Sequence, residues 1–169
     1  MKRSSFFSLL LMLTFAGFSV AVLADAAQEA RRSIQARYDQ FDRSYMKKDF
    51  KGVSEVFTPE CIFKLNGEGR SMAAIRVIKG MEAVSKNLTI SHARTRILSV
   101  KSTPKGLEIS AAWTGDSAYA PSVASKDDPP RRAKVKQTVH DTWKQTEKGW
   151  QIIGRVIQDD DDASPNANK

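Results

Sequence analysis

The chain has 169 residues, with 27 lysines and arginines against 19 aspartates and glutamates and a formal charge of +8. That length holds one domain with a real core and is too short for two. The single cysteine, Cys61, excludes an internal disulfide, and the scattered positives (Arg31, Arg32, Arg94, Arg96, Lys134 among them) accompany no nucleic-acid motif, so they read as a basic surface with no nucleic-acid partner.

Lys2 and Arg3 open the chain, and Phe6 to Leu23 is apolar apart from Ser8, Thr14 and Ser19. Val22-Leu23-Ala24 places small residues before a cleavage site, and Ala24-Asp25-Ala26 overlaps it. The pattern is that of a secretory signal peptide over residues 1–24, with an uncleaved anchor as the alternative. Export to the periplasm or medium is therefore expected, with no membrane contact after cleavage. Losing Lys2 and Arg3 takes the charge from +8 to +6.

Residues 26–157 form the expected domain. Ala26 to Lys48 is a long amphipathic helix: Ala30, Ile34, Tyr38, Phe41 and Tyr45 recur at helical spacing, against a polar face that includes Arg31, Gln35, Asp39, Asp42 and Arg43. Asp49 caps a short second helix carrying Phe50, Val53, Val56 and Phe57, which Pro59 ends. Cys61 to Leu65 reads as a strand and Asn66-Gly67 as a turn. Ser71 caps a third helix, Met72 to about Lys86, with Met72, Ile75, Ile78 and Met81 on one side and Gly80 weakening or breaking it. Ser91 to Lys101 and Leu107 to Tyr119 are strands joined by Thr103-Pro104-Lys105-Gly106. A polar loop, Ala120 to Arg132, follows.

The final hairpin is the most informative stretch. From Val135 to Gln145 residues alternate, with Val135, Val139, Asp141 and Trp143 on the apolar side and Lys134, Lys136, Thr138, His140 and Lys144 on the solvated side. Glu147-Lys148-Gly149 turns the chain and Trp150 to Ile157 returns. A three-residue loop sets Thr146 opposite Trp150, Trp143 opposite Ile153 and Asp141 opposite Arg155. Asp141 is thus a carboxylate on a buried face, which requires a partner. Residues 158–169, with Asp159 to Asp162, read as a disordered acidic tail; consecutive carboxylates do not preorganise a metal site, and no metal or cofactor is expected.

Helices first and strands later mean an α+β domain. Tyr38, Phe41 and Tyr45, then Lys48-Asp49-Phe50, Val56-Phe57-Thr58-Pro59, Phe63 with Asn66-Gly67, and Asp141-Thr142-Trp143 with Lys148-Gly149-Trp150 resemble the nuclear transport factor 2-like superfamily in its SnoaL-like and uncharacterised branches. The resemblance spans Gln28 to Ile157. It implies a cone-shaped, curved antiparallel sheet wrapped over three N-terminal helices, an apolar cavity and a homodimer. The superfamily hosts isomerases, dehydratases, hydrolases and non-catalytic modules, so the fold carries no single reaction. The tyrosine and two carboxylates of its steroid isomerase branch have no clean match in this chain.

The residues expected around a ligand are Tyr38, Tyr45, Trp113, Asp141, Trp143 and Arg155, each with an ordinary structural reading beside it. Asp141 is the candidate base, but a facing Arg155 would hold it ionised as a structural ion pair. Cys61, between apolar neighbours, reads as an inert buried thiol. Two functions are consistent with this: an exported, dimeric module that binds a small apolar or acidic molecule, or an acid–base enzyme acting on one.

Overall fold

The computed structural model describes residues 6–65, 70–119 and 132–159, with side chains described within 26–158. The side chains of the expected signal segment, the Asn66-Gly67 turn, residues 120–131 of the polar loop and residues 160–169 of the expected tail lie outside the described residues, whereas Gln158 and Asp159, expected to open that tail, end the last strand. By internal contacts the chain divides into Met1–Ile34 and Gln35–Lys169. The first unit is helical backbone from Phe6 onward, part of α1 (Phe6–Met46). The second holds the end of that helix, two shorter helices and the whole sheet.

The last turns of α1 end where Lys48 takes a left-handed φ of 58°. There Lys48 donates its N–H to the Tyr45 carbonyl at 3.0 Å and Asp49 donates to Ser44 at 2.8 Å, satisfying helix-end carbonyls. Asp49 caps α2 (Phe50–Ser54), accepting from the Gly52 amide at 3.0 Å. The short helix stops at Ser54 rather than at Pro59. Phe57 already belongs to β1 (Phe57–Leu65), and Pro59 sits inside that strand. The reason is tertiary: the Ile152 amide donates to the Val56 carbonyl at 2.9 Å and draws the chain into the sheet. The register irregularity between Phe57 and Ile62 accommodates a proline that has no amide to offer.

Ser71 is not a helix cap. Ser71–Ala73 forms a short strand, β2, antiparallel to β1, and α3 (Ala74–Ser85) starts after it with no side-chain cap. The helix face turns accordingly. Ala74, Ile78 and Ser85 are buried while Met72 and Ile75 are exposed, and Gly80 lies within the helix without breaking it. β3 (Leu88–Thr103), β4 (Gly106–Tyr119), β5 (Arg132–Thr146) and β6 (Gly149–Asp159) complete a six-stranded sheet in the order β2-β1-β6-β5-β4-β3. The sheet is mixed: β1 runs parallel to β6, and every other pair is antiparallel. No tight turn links β1 to β6, so nothing local dictates an antiparallel pairing there.

β3 lies at the sheet edge, where unpaired backbone groups invite association. Helix α1 covers part of that edge with side chains. Asp42 accepts from the Thr95 amide at 2.6 Å and from the Thr95 hydroxyl at 2.9 Å. Gln35 donates to the Thr95 carbonyl at 2.9 Å and accepts from the Ile97 amide at 3.3 Å. Asp42, expected on the polar face, is therefore buried.

The β5–β6 register places Asp141 opposite Arg155. It gets there by a different route from the one the loop length suggests. Thr146 faces Gly149 and Trp143 faces Ile152, one residue off the expected register, and an irregularity between Thr142 and Trp143 absorbs Ile153 and restores it.

Candidate functional site

Four of the six residues read from the sequence converge. Tyr38 arrives from α1, Asp141 and Trp143 from alternate positions of β5, and Arg155 from the facing position of β6. The Arg155 guanidinium grips the carboxylate bidentately, Nε to Oδ1 and Nη2 to Oδ2, both at 2.7 Å. The Tyr38 hydroxyl donates to Oδ2 at 2.7 Å and accepts from the Trp143 indole N–H at 3.2 Å. The Tyr38 and Trp143 rings meet edge to face, 5.0 Å between centroids. Tyr38 and Trp143 are fully inaccessible, Asp141 is 1% exposed and Arg155 is 7% exposed.

A bare charge pair this deep would carry a heavy desolvation cost. The surroundings offset it. Both carboxylate oxygens hold charge-assisted hydrogen bonds, and the guanidinium carbon lies 5.4, 5.2 and 5.6 Å from the ring centroids of Phe41, Phe57 and Phe63. Phe63 reaches that position because β1 pairs it with Arg155. Burial alone would lower the arginine's pKa, but the Asp141 charge and its hydrogen bonds outweigh that and the net shift is upward, so the cation is locked. Burial first, then the Asp141 charge, pushes the Tyr38 phenol well above its ordinary range, which keeps it a proton donor to the carboxylate.

Tyr45 and Trp113 do not join this cluster. They are half-buried and pack on each other, ring centroids 6.0 Å apart, with Tyr45 also edge-on to Phe50. The Trp113 indole N–H is solvent-inaccessible and has no hydrogen-bond partner among the described residues. Cys61 is fully buried, and desolvation pushes its thiol up to about 12. A groove of about 660 Å³ opens elsewhere, lined by Phe57, Pro59, Ala74, Ile75, Ile78 and Gln151 among others; it shares only Phe57 with the surroundings of Arg155. Among the described residues no group of three His, Cys, Asp or Glu side chains gathers to hold a metal.

Asp42 is the buried polar group that the sequence reading passed over. Desolvation raises its carboxyl, and the two Thr95 donors draw it only partly back. The signal was present: position 42 lies four residues after Tyr38 and three before Tyr45, at the centre of the apolar stripe.

No family model matches the chain, and no curated protein matches it in sequence. Solved structures do. A nuclear transport factor 2-like superfamily protein from Salmonella enterica serovar Typhimurium superimposes with a TM-score of 0.59 at 11% identity, covering 85% of this chain and 99% of its own. The fold is nuclear transport factor 2-like. A ketosteroid isomerase-like protein from Erwinia carotovora atroseptica gives a TM-score of 0.58 at 12% identity, covering 79% of this chain and 96% of its own. A protein of unknown function from Mycobacterium tuberculosis gives 0.61 at 15%, covering 86% and 82%. At such identities a nuclear transport factor 2-like likeness speaks to the fold, and the reaction must be argued from the side chains.

Proposed function

We propose that this protein is an exported, homodimeric module that binds a small apolar or acidic molecule without transforming it. The observation that carries the reading is the state of Asp141. A general base needs a carboxylate that can take up a proton and reach a substrate. This one is chelated by an arginine, accepts a third hydrogen bond from Tyr38 and is closed to solvent. The other buried carboxylate among the described residues, Asp42, is spent on the Thr95 backbone and hydroxyl. The groove of about 660 Å³, with Phe57, Pro59, Ala74, Ile75 and Ile78 in its lining, supports the binding half of the proposal, because it offers apolar surface to a small molecule.

Native mass spectrometry of protein taken from its own compartment tests the reading as a whole. The expected spectrum is a dimer of chains beginning at Asp25 or Ala27, carrying a co-purified small molecule released under activation. A ligand-free monomer of full-length chains would overturn it.

A further inference from the structure

The groove beside α3 is apolar in its depth and charged at its mouth. The first turns of α3 supply Ala74, Ile75 and Ile78, and the start of β1 supplies Phe57, Thr58 and Pro59. Thr146 and Gln151, at the end of the β5–β6 hairpin, line it too. Ala74 and Ile78, four residues apart, turn one helix face inward, while Ile75 beside them stands 51% exposed. The volume, about 660 Å³, is that of a small-molecule site.

The polar groups of the groove are of two kinds. Most are spent on the protein itself. Ser54 donates its hydroxyl to the Lys51 carbonyl at 2.7 Å. Thr146 shares its hydroxyl between the Gly149 carbonyl and Gln151 Oε1, both at 2.9 Å, and accepts from the Lys148 amide at 3.1 Å. Gln151 gives its side-chain N–H groups to the Glu55 and Phe57 carbonyls at 3.0 and 3.2 Å. Thr58 differs. It is 9% exposed, and its hydroxyl makes no hydrogen bond among the described residues. Nor is that hydroxyl sealed in: of the unpartnered side-chain polar atoms described, only the Trp113 indole N–H is closed to solvent. A nearly buried hydroxyl thus meets the groove with both donor and acceptor unspent.

We propose that this groove binds a neutral alcohol, an apolar body carrying one hydroxyl, with Thr58 as its hydrogen-bonding partner. The alcohol is then the small molecule of the binding module proposed for this chain, and its assignment rests on that reading. A hydroxyl can donate to Thr58 Oγ1 or accept from it, so it restores the bond that burial withholds from Thr58. A plain hydrocarbon would cover the Thr58 hydroxyl and leave it unpaired. A carboxylate would meet Glu55 and Glu147, two like charges against the single Lys148. An ammonium group finds its counter-charges only in those exposed glutamates, where water screens them, and leaves Thr58 unanswered.

The test is methyl NMR of the isoleucine-labelled full chain, in which Ile75 and Ile78 report occupancy of the groove. Phenylethanol, ethylbenzene, phenylacetate and phenylethylamine, which share one apolar body, are titrated in turn. Phenylethanol is expected to shift both methyls and to bind more tightly than the acid or the amine. Thr58→Val is expected to weaken phenylethanol about three- to tenfold, the scale of one hydrogen bond, while leaving ethylbenzene within about twofold. Thr58→Ser keeps the hydroxyl and should keep the alcohol's affinity; Thr58→Ala replaces the valine variant should that one fail to fold. Equal losses for alcohol and hydrocarbon, no loss for the alcohol, or tighter binding of the acid or amine would overturn the alcohol assignment while leaving a binding groove in place. Failure of every probe to move the two methyls would overturn the groove and the alcohol together, and the native mass spectrum would then decide the module reading by itself.

Discussion

Asp42 and Cys61 show what burial does to single ionisable groups in this chain. Asp42 holds the Thr95 amide and hydroxyl while desolvation raises its carboxyl above the ordinary 3.8. A folded-state pKa raised above the unfolded one means a contribution that is fully present below 3.8 and lost as pH rises through the raised value. Asp42→Asn can still accept from the Thr95 amide and donate to its hydroxyl oxygen. It should therefore change stability little at neutral pH and remove this acid-side increment. Asp42→Ala loses both bonds and leaves the Thr95 donors buried, costing roughly 2–3 kcal/mol; urea melts across pH 3.5 to 7 read both effects. Cys61, with its thiol pushed up to about 12 by burial, should react with a neutral thiol reagent far more slowly in the native protein than in urea. Fast native labelling would mean that the β1 core opens.

At the scale of elements, the hairpins are where glycine geometry decides. Gly106 has φ +135°, and a Cβ built there would collide with the Trp143 carbonyl oxygen. Gly106→Ala strains the β3–β4 turn and the β5 strand beside it at once, so a loss of about 2 kcal/mol or more is expected in thermal melts. Lys48→Gly acts in the opposite sense, relieving a left-handed φ of 58° at the end of α1, and should raise the midpoint by up to about 1 kcal/mol in stability. The same scale shows what a sequence can disclose. The alternation from Val135 to Gln145 gives β5, its faces and Asp141's burial, because a strand's period is local. The pairing of Asp141 with Arg155 is also legible, although the reading reaches it with a loop counted one residue longer and without the irregularity at Ile153; the two differences cancel. β2 is not legible, since three residues carry no period and exist as a strand only through β1. Nor is the parallel β1–β6 pair, whose partners lie roughly ninety residues apart in the chain and meet only once the sheet has formed.

For the whole molecule, the nuclear transport factor 2-like fold supplies a curved sheet whose inner face, with Phe57 and Phe63 of β1 and Trp143 of β5, packs against Tyr38 and Phe41 of α1. The buried ion pair stands between the two hypotheses for function. Were Asp141 a working base, the arginine would oppose its chemistry, and removing the negative charge would leave the fold intact or improve it. If instead Asp141 and Arg155 brace the sheet beneath α1, each is indispensable while the other remains charged. The most direct measurement is a double-mutant cycle in urea with Asp141→Asn, Arg155→Met and both together. A structural pair predicts single losses of roughly 3–5 kcal/mol and a double loss well below their sum. Additive losses, or an Asp141→Asn protein as stable as the parent, would contradict the account.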